Sequence, residues 1–150
     1  MKLIKSALLI AFSLLIQQAW ACSCVPPPSV EESFKSTDAV FTGTVMKIEQ
    51  EFDTTVNDHG DTIVLFGQVK TVTIKLDTDY KSTNTKKGAI ITIKTASNSA
   101  ACGYYFQKGK KYIVYAYTNK EDGMLSTNLC TRTKQYDEQE AAELERLAKK

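Results

Sequence analysis

The chain has 150 residues, of which 43% are hydrophobic, and it carries 19 Lys and Arg against 17 Asp and Glu. Two of the 19 basic residues, Lys2 and Lys5, precede an N-terminal apolar run, so 17 remain to balance the 17 acids, which argues against a nucleic-acid-binding protein that relies on a basic surface. This length allows one domain with a core of its own, and no stretch after residue 21 reaches transmembrane length.

The N-terminal residues predict an export signal. The two lysines are followed by an apolar run from Ala7 to Ile16, which is too short to span a bilayer. Ala-Trp-Ala at residues 19–21 then has the small-x-small pattern of a cleavage site. We therefore expect residues 1–21 to be a signal peptide that is removed, a mature domain over residues 22–150, and a secreted protein, either extracellular or periplasmic.

All four cysteines lie beyond this leader, at positions 22, 24, 102 and 130. An even number of cysteines in an exported chain predicts two disulfides, for which three pairings are possible. Zinc binding fits less well, because Cys22 and Cys24 lack the usual two-residue spacing and His59 is the only histidine. We therefore expect disulfides, and no metal or other cofactor held by the chain itself.

The first predicted elements follow a proline-rich start. Prolines 26–28 fix φ and stiffen the segment, and Ser29 followed by Glu32 has the spacing of a capping box, which predicts a short helix to about Ser36. From Ala39 onward the period becomes two, with a turn signal at 57–60, a candidate bulge at Gly67 and a hairpin turn at 119–123. The predicted strands cover residues 39–50, 62–76, 89–95, 104–106, 111–118 and 124–129.

The chain ends in a second predicted helix. Asp137 is a candidate N-cap with Glu140 three residues further on, and Ala141, Leu144 and Leu147 share an apolar face. Five or six short strands with a helix at each end predict an all-β fold. The strand count fits a small closed or partly open barrel of the oligonucleotide/oligosaccharide-binding (OB) architecture.

The expected mature start resembles that of the tissue inhibitors of metalloproteinases, whose members begin Cys-x-Cys-x-Pro directly after the signal peptide. The resemblance covers most of residues 22–132 and is carried, in the family's order, by Cys22-Ser23-Cys24-Val25-Pro26, Phe34, Asp38-Ala39-Val40, the stretch from Thr95 to Gly103, Gly109 to Tyr112, and Gly123 to Cys130. It implies a netrin-like domain on an OB barrel, with the disulfides Cys22–Cys102 and Cys24–Cys130.

The same resemblance implies a metalloprotease inhibitor rather than an enzyme. A catalytic zinc keeps one coordination position open for the reactive water. An α-amino group has a pKa of about 8 in model peptides, so it can lose its proton and bind a metal. The amine and carbonyl oxygen of Cys22 would thus displace the water and cap the zinc of the protease.

The expected partner is a zinc metalloprotease, bound by a monomer, with no nucleic acid or membrane involved. Ser23 corresponds to the family residue that enters the protease specificity pocket. Val25 and Pro26 would continue along the substrate cleft, and the loop before Cys102 matches the family's second contact loop. The protease-contacting residues implied by the resemblance are Cys22, Ser23, Cys24, Val25, Pro26, Ser99 and Ala100.

Other interpretations of the sequence stay open. Lys35 stands where these inhibitors usually have a further cysteine, and these 150 residues do not include their cysteine-rich C-terminal subdomain, which bears on target choice and potency. Cys22 could be a purely structural half-cystine or a lipidated cysteine.

The domain could instead be a non-inhibitory netrin-like module that binds a protein or glycan through tyrosines on the barrel face. An oligonucleotide binder is a third alternative. The tyrosines in question are Tyr104, Tyr105, Tyr112, Tyr115 and Tyr117.

Overall fold

The computed structural model describes residues 22–57, 59–81 and 85–149, so the predicted signal peptide lies outside the described residues. Within these ranges the chain forms six strands and two helices. The elements are α1 (Val30–Ser36), β1 (Ala39–Val56), β2 (Thr62–Lys81), β3 (Ile90–Ala96), β4 (Lys111–Thr118), β5 (Leu125–Ser126), β6 (Lys134–Gln135) and α2 (Glu138–Leu147).

Five of the strands close into a barrel. Their order is β1-β2-β3-β5-β4, and β4 pairs back onto β1 from Ala39↔Ala116 to Thr44↔Lys111. The β3–β5 pair is parallel and the other pairs are antiparallel, with the short strand β6 added alongside β4. The all-β, OB-like barrel that the sequence predicts is confirmed.

The barrel interior follows from the alternation of apolar residues along each strand. In β3, every second residue from Ile91 to Thr95 is buried. Gly43 allows β1 to lie close against β2, because a Cβ at this position would lie 2.4 Å from Ile74 Cγ2 and 2.7 Å from the Lys75 carbonyl oxygen. The interior cluster consists of Ala39, Phe41, Val45, Val72, Ile74, Leu76, Ile91, Ile93, Phe106, Tyr112, Val114 and Ala116.

The two helices cover one outer face of the barrel, beneath which β4 is buried on both sides. Ser29 and Glu32 form the capping box that starts α1, and the Asp137 side chain accepts from the Glu140 amide at 2.8 Å to start α2. Both predicted helices are confirmed, and neither is long and apolar enough to cross a membrane. The cluster beneath them consists of Val30, Val40, Tyr80, Ile113, Tyr115, Ala141 and Leu144.

The strand predictions are wrong in three places. First, β1 and β2 run beyond the predicted ends to Val56 and Lys81, and past Gln50 they continue as a two-stranded arm. A register shift at the base of this arm lies opposite residues 67–69, where Gly67 was the candidate bulge. Second, residues 104–106 form no strand. Third, β6 was not predicted.

Aromatic packing replaces strand pairing at residues 104–106. The Tyr104 amide donates to the Thr95 hydroxyl at 2.8 Å, and the Gln107 amide donates to the Tyr112 hydroxyl at 2.9 Å. The rings of Tyr104 and Phe106 lie 4.7 Å apart between centroids. These contacts pair the amides at both ends of the segment and pack the rings of Tyr104 and Phe106, so a β-rich composition here does not produce a strand.

Candidate functional site

The segment from residue 22 to residue 28, called here the N-terminal edge, forms no helix or strand. Cys22 and Cys24 are half-buried, whereas Ser23, Val25 and the three prolines are exposed, with Val25 at 83% exposure. Apart from the two cysteines, which are disulfide-bonded, the edge contains no ionisable side chain. If cleavage follows Ala21, the α-amine of Cys22 is therefore the one ionisable group that this segment presents.

Two disulfides fix the edge against two loops from distant parts of the sequence. Cys22 is bonded to Cys102 and Cys24 to Cys130, across sequence separations of 80 and 106 residues. These are the two pairings that the family resemblance implies. All four Sγ atoms lie within 4.8 Å of one another, so both bridges meet at a single point. By chain-entropy arguments each bridge contributes about 4–5 kcal/mol at most.

These four cysteines are also the one group of potential metal ligands among the residues that the structure describes. Both pairs are oxidised, and the described residues include no free cysteine. Because a metal binds the thiolate form, the cluster serves as a cross-link rather than as a metal centre.

The first of the two loops, residues 97–103, is held in a tight turn. The Cys102 amide donates to the Ser99 carbonyl at 3.0 Å, and the Asn98 carboxamide oxygen accepts from the Ala101 amide at 2.9 Å. A Cβ on Gly103 would lie 2.0 Å from the Ala96 carbonyl oxygen, so only glycine fits there. Ser99 and Ala100, both predicted contact residues, are exposed in this turn beside the Cys22–Cys102 bridge.

The second loop, residues 128–133, contains an exposed apolar residue that the sequence analysis did not single out. Leu129 is 44% exposed, and its amide donates to the Cys102 carbonyl at 2.7 Å, so the two loops are joined beside the edge. The Asn128 side chain accepts from the Cys130 amide at 2.9 Å and shapes the turn. The position of Leu129 next to a cysteine bonded to Cys24 is the sequence signal that could have identified it.

The other residues considered in the sequence lie elsewhere. His59 lies in the exposed turn between β1 and β2, where its amide donates to the Asn57 side chain at 3.0 Å. Of the five tyrosines, Tyr112 and Tyr115 are buried, Tyr104 is half-buried, and Tyr105 and Tyr117 are exposed. They therefore do not form one continuous stacking face.

An open cavity of about 150 Å³ lies beside two of these tyrosines and is lined by Ile48, Lys70, Val72, Thr95, Tyr104, Tyr105 and Phe106. Its volume is below the range of roughly 300–1,000 Å³ that is typical of small-molecule sites.

Comparison with known proteins identifies a family to which the chain is similar. A protein-family model described as "Tissue inhibitor of metalloproteinase" matches residues 20–150, a span that includes the edge and both loops. A search of curated proteins finds no match.

Proposed function

The chain belongs to the tissue inhibitor of metalloproteinase family, and we propose that it is a secreted inhibitor that caps the active-site zinc of a metalloprotease with the amine and carbonyl oxygen of Cys22. Members of this family inhibit metalloproteinases and are not themselves enzymes. This mechanism requires the removal of residues 1–21, because only then does Cys22 carry a free α-amine.

The observation that carries the proposal is the meeting of both disulfides at the start of the mature chain. A free chain terminus normally samples many conformations, and ordering it on binding costs free energy. Cys22 and Cys24 are instead bonded to two loops that are themselves hydrogen-bonded to each other. The terminus is thus preorganised before any partner binds.

The chemistry follows from the ligands that a processed Cys22 offers. Its neutral amine and its carbonyl oxygen form a five-membered chelate ring with a metal ion. The amine would take the position that a catalytic zinc otherwise gives to water, and the carbonyl oxygen would add a fifth ligand, since catalytic zinc can become five-coordinate. The inhibitor has no need of a metal of its own, because the zinc belongs to the protease.

The exposed residues around Cys22 supply the remaining contacts in this proposal. Ser23 enters the protease specificity pocket, and Val25 and Pro26 follow the substrate cleft beyond Cys24. Ser99 and Ala100 form the second contact loop. Leu129 is exposed, and its amide donates a hydrogen bond to the Cys102 carbonyl, so its side chain extends this surface.

The proposal is tested with a protein extended by one residue. Placing Ala before Cys22 turns the α-amine into a peptide nitrogen, which cannot replace an amine as a metal ligand. The assay uses zinc metalloprotease catalytic domains that the processed protein inhibits. We expect the extended form to lose more than about 100-fold in affinity, which corresponds to about 2.8 kcal/mol of binding free energy.

The matched control carries one extra Ala after Lys150 and should inhibit like the unmodified protein. Intact mass, measured with and without reduction, must show a chain that begins at unmodified Cys22 and gains four hydrogens on reduction, as expected for two disulfides. Equal inhibition by the N-terminally extended and unmodified proteins contradicts zinc capping.

A second candidate function is a non-inhibitory netrin-like module that binds a protein or glycan. It is favoured by Tyr105, which is 58% exposed and has the Lys70 ammonium over its ring at 5.6 Å from the centroid, so an aromatic ring and a cation are presented together at the surface. This function predicts that Tyr105→Ala abolishes partner binding, whereas the N-terminal extension has no effect on it.

A further inference from the structure

A second contact holds the far end of the N-terminal edge. Arg132 donates from Nη1 to the carbonyl oxygen of Pro28 at 2.9 Å, across 104 positions of sequence. Arg132 also lies two residues after Cys130, which is bonded to Cys24. One turn therefore holds the edge at two points, by a covalent bond at Cys24 and by a hydrogen bond at Pro28, with the exposed residues 25–27 between them.

Arg132 is fixed in turn by the second helix. Its Nε and Nη2 atoms each donate to a different carboxylate oxygen of Glu140 at 2.9 Å, and this bidentate geometry sets the plane of the guanidinium. Glu140 is only 5% exposed and also accepts from the Tyr115 hydroxyl at 2.7 Å. The hydrogen bond to Glu140 raises the pKa of Arg132. Burial, and then the hydrogen bond from its hydroxyl to Glu140, raise the pKa of Tyr115. Both side chains therefore remain donors at neutral pH.

The turn that carries Arg132 is supported by threonine hydroxyl groups. Thr127 and Thr133 lie 2.7 Å apart between their hydroxyl oxygens, and the Thr127 hydroxyl donates to the Tyr115 carbonyl in β4 at 2.9 Å. Thr131, between Cys130 and Arg132, donates to the Asn128 carbonyl at 2.9 Å. The turn is thereby connected to a strand that is buried on both faces.

Pro28 precedes Ser29, the N-cap of α1, and apart from this covalent link the far end of the edge has few other means of being fixed. Residues 26–28 are prolines and have no N–H to donate, so a bond at this end must be accepted by a carbonyl. The second donor to the Pro28 carbonyl is the Ser33 hydroxyl, at a longer distance of 3.4 Å. The guanidinium bond is both shorter and charge-assisted, and is therefore the stronger of the two.

We propose that Arg132, held by Glu140, is a positioning residue of the inhibitory edge that fixes the direction in which Val25 and Pro26 leave Cys24. The inference rests on the proposed function and adds a role for α2, the helix that supplies Glu140. Arg132 does not touch the protease zinc; it acts through the Pro28 carbonyl.

The test compares Arg132→Gln with a matched control, Lys134→Gln. Lys134 also contacts Glu140, at 3.4 Å, so both variants remove a cation from the same carboxylate, but only the first removes the bond to Pro28. The first measurement is the ¹⁵N relaxation of the Ser23, Cys24 and Val25 amides in the free processed protein. We expect lower order parameters for these amides in Arg132→Gln, whereas Lys134→Gln should match the unmodified protein.

The second measurement is dissociation from a zinc metalloprotease catalytic domain that the unmodified protein inhibits. Loss of the hydrogen bond to Pro28 should speed dissociation about 3- to 10-fold in Arg132→Gln and leave Lys134→Gln unchanged. In the double variant Arg132→Gln/Glu140→Gln, no buried carboxylate is left without its arginine partner. Any change in the edge then reflects loss of the bond to Pro28 and not a loss of stability. The double variant should be as stable as Lys134→Gln and still have a mobile edge.

The two measurements separate the two proposals. Amide order in Arg132→Gln and in the double variant equal to that of Lys134→Gln overturns the positioning role, whatever the inhibition assay shows. A loosened edge in a protein that inhibits no metalloprotease supports the positioning role and contradicts the proposed function.

Discussion

The barrel and the N-terminal edge are held in place by different forces. Strand β4 is buried from Tyr112 to Ala116, on one side by the barrel interior and on the other by the helices. The edge buries little and forms no strand, and its position depends on two disulfides and the bond from Arg132. Stability and inhibition should therefore respond to different substitutions, which three comparisons can test.

The largest effect is expected where the two regions are joined. Replacing Cys24 and Cys130 together by Ser removes the bridge with the longer sequence separation, 106 residues, and should lower the free energy of unfolding by about 2–5 kcal/mol. The same change leaves the edge attached to the turn of Arg132 only through the hydrogen bond from Arg132 to the Pro28 carbonyl, so inhibition should also weaken. Urea unfolding and inhibition assays on the same sample measure both. A variant that loses stability but inhibits normally would show that the bridge does not position the edge.

A smaller effect, on stability alone, is expected in the barrel. Ile74 is fully buried, and Ile74→Val removes one methylene from the interior, which should cost about 0.5–1.5 kcal/mol of unfolding free energy. The edge is not part of this cluster, so the inhibition constant of the folded protein should stay unchanged. A large rise in the inhibition constant would mean that the barrel and the edge are coupled, contrary to the comparison.

The smallest effect on stability is expected at the edge itself. Ser23 is exposed, so Ser23→Arg should change the unfolding free energy by less than about 0.5 kcal/mol. If this side chain enters the specificity pocket, the preference among metalloproteases should nevertheless change by about tenfold or more. Ser36→Arg, at an exposed position in α1, is the matched control and should alter neither quantity. Unchanged preference in Ser23→Arg would remove Ser23 from the contact surface.

The elements set by local chemistry could be predicted from the sequence. Ser29 and Asp137 cap the helices as their spacing indicates, and the alternation in β3 reports its buried face. Closure of the barrel follows from the family resemblance and the strand count, but no local pattern specifies that Ala39 pairs with Ala116.

The errors arose where a local pattern was satisfied by a different contact. The residues from Tyr104 to Phe106 have strand-like composition, but their backbone and rings find partners in Thr95 and Tyr112 instead. The polar segment after Gln50 reads as a loop, yet it extends β1 because it pairs with β2 along the arm. The contact between Arg132 and Pro28 depends on the folded chain, since 104 positions separate the two residues.

Zinc capping by Cys22 is tested most directly at the metal. Cobalt(II) can replace the zinc of a metalloprotease catalytic domain, and its visible absorption bands report the ligands that it binds. Adding one equivalent of the processed protein should change these bands, because an amine and a carbonyl oxygen replace the bound water, and the form with Ala before Cys22 should leave them unchanged. Inhibition without any change in the cobalt spectrum, or the same change with the extended form, would contradict the account.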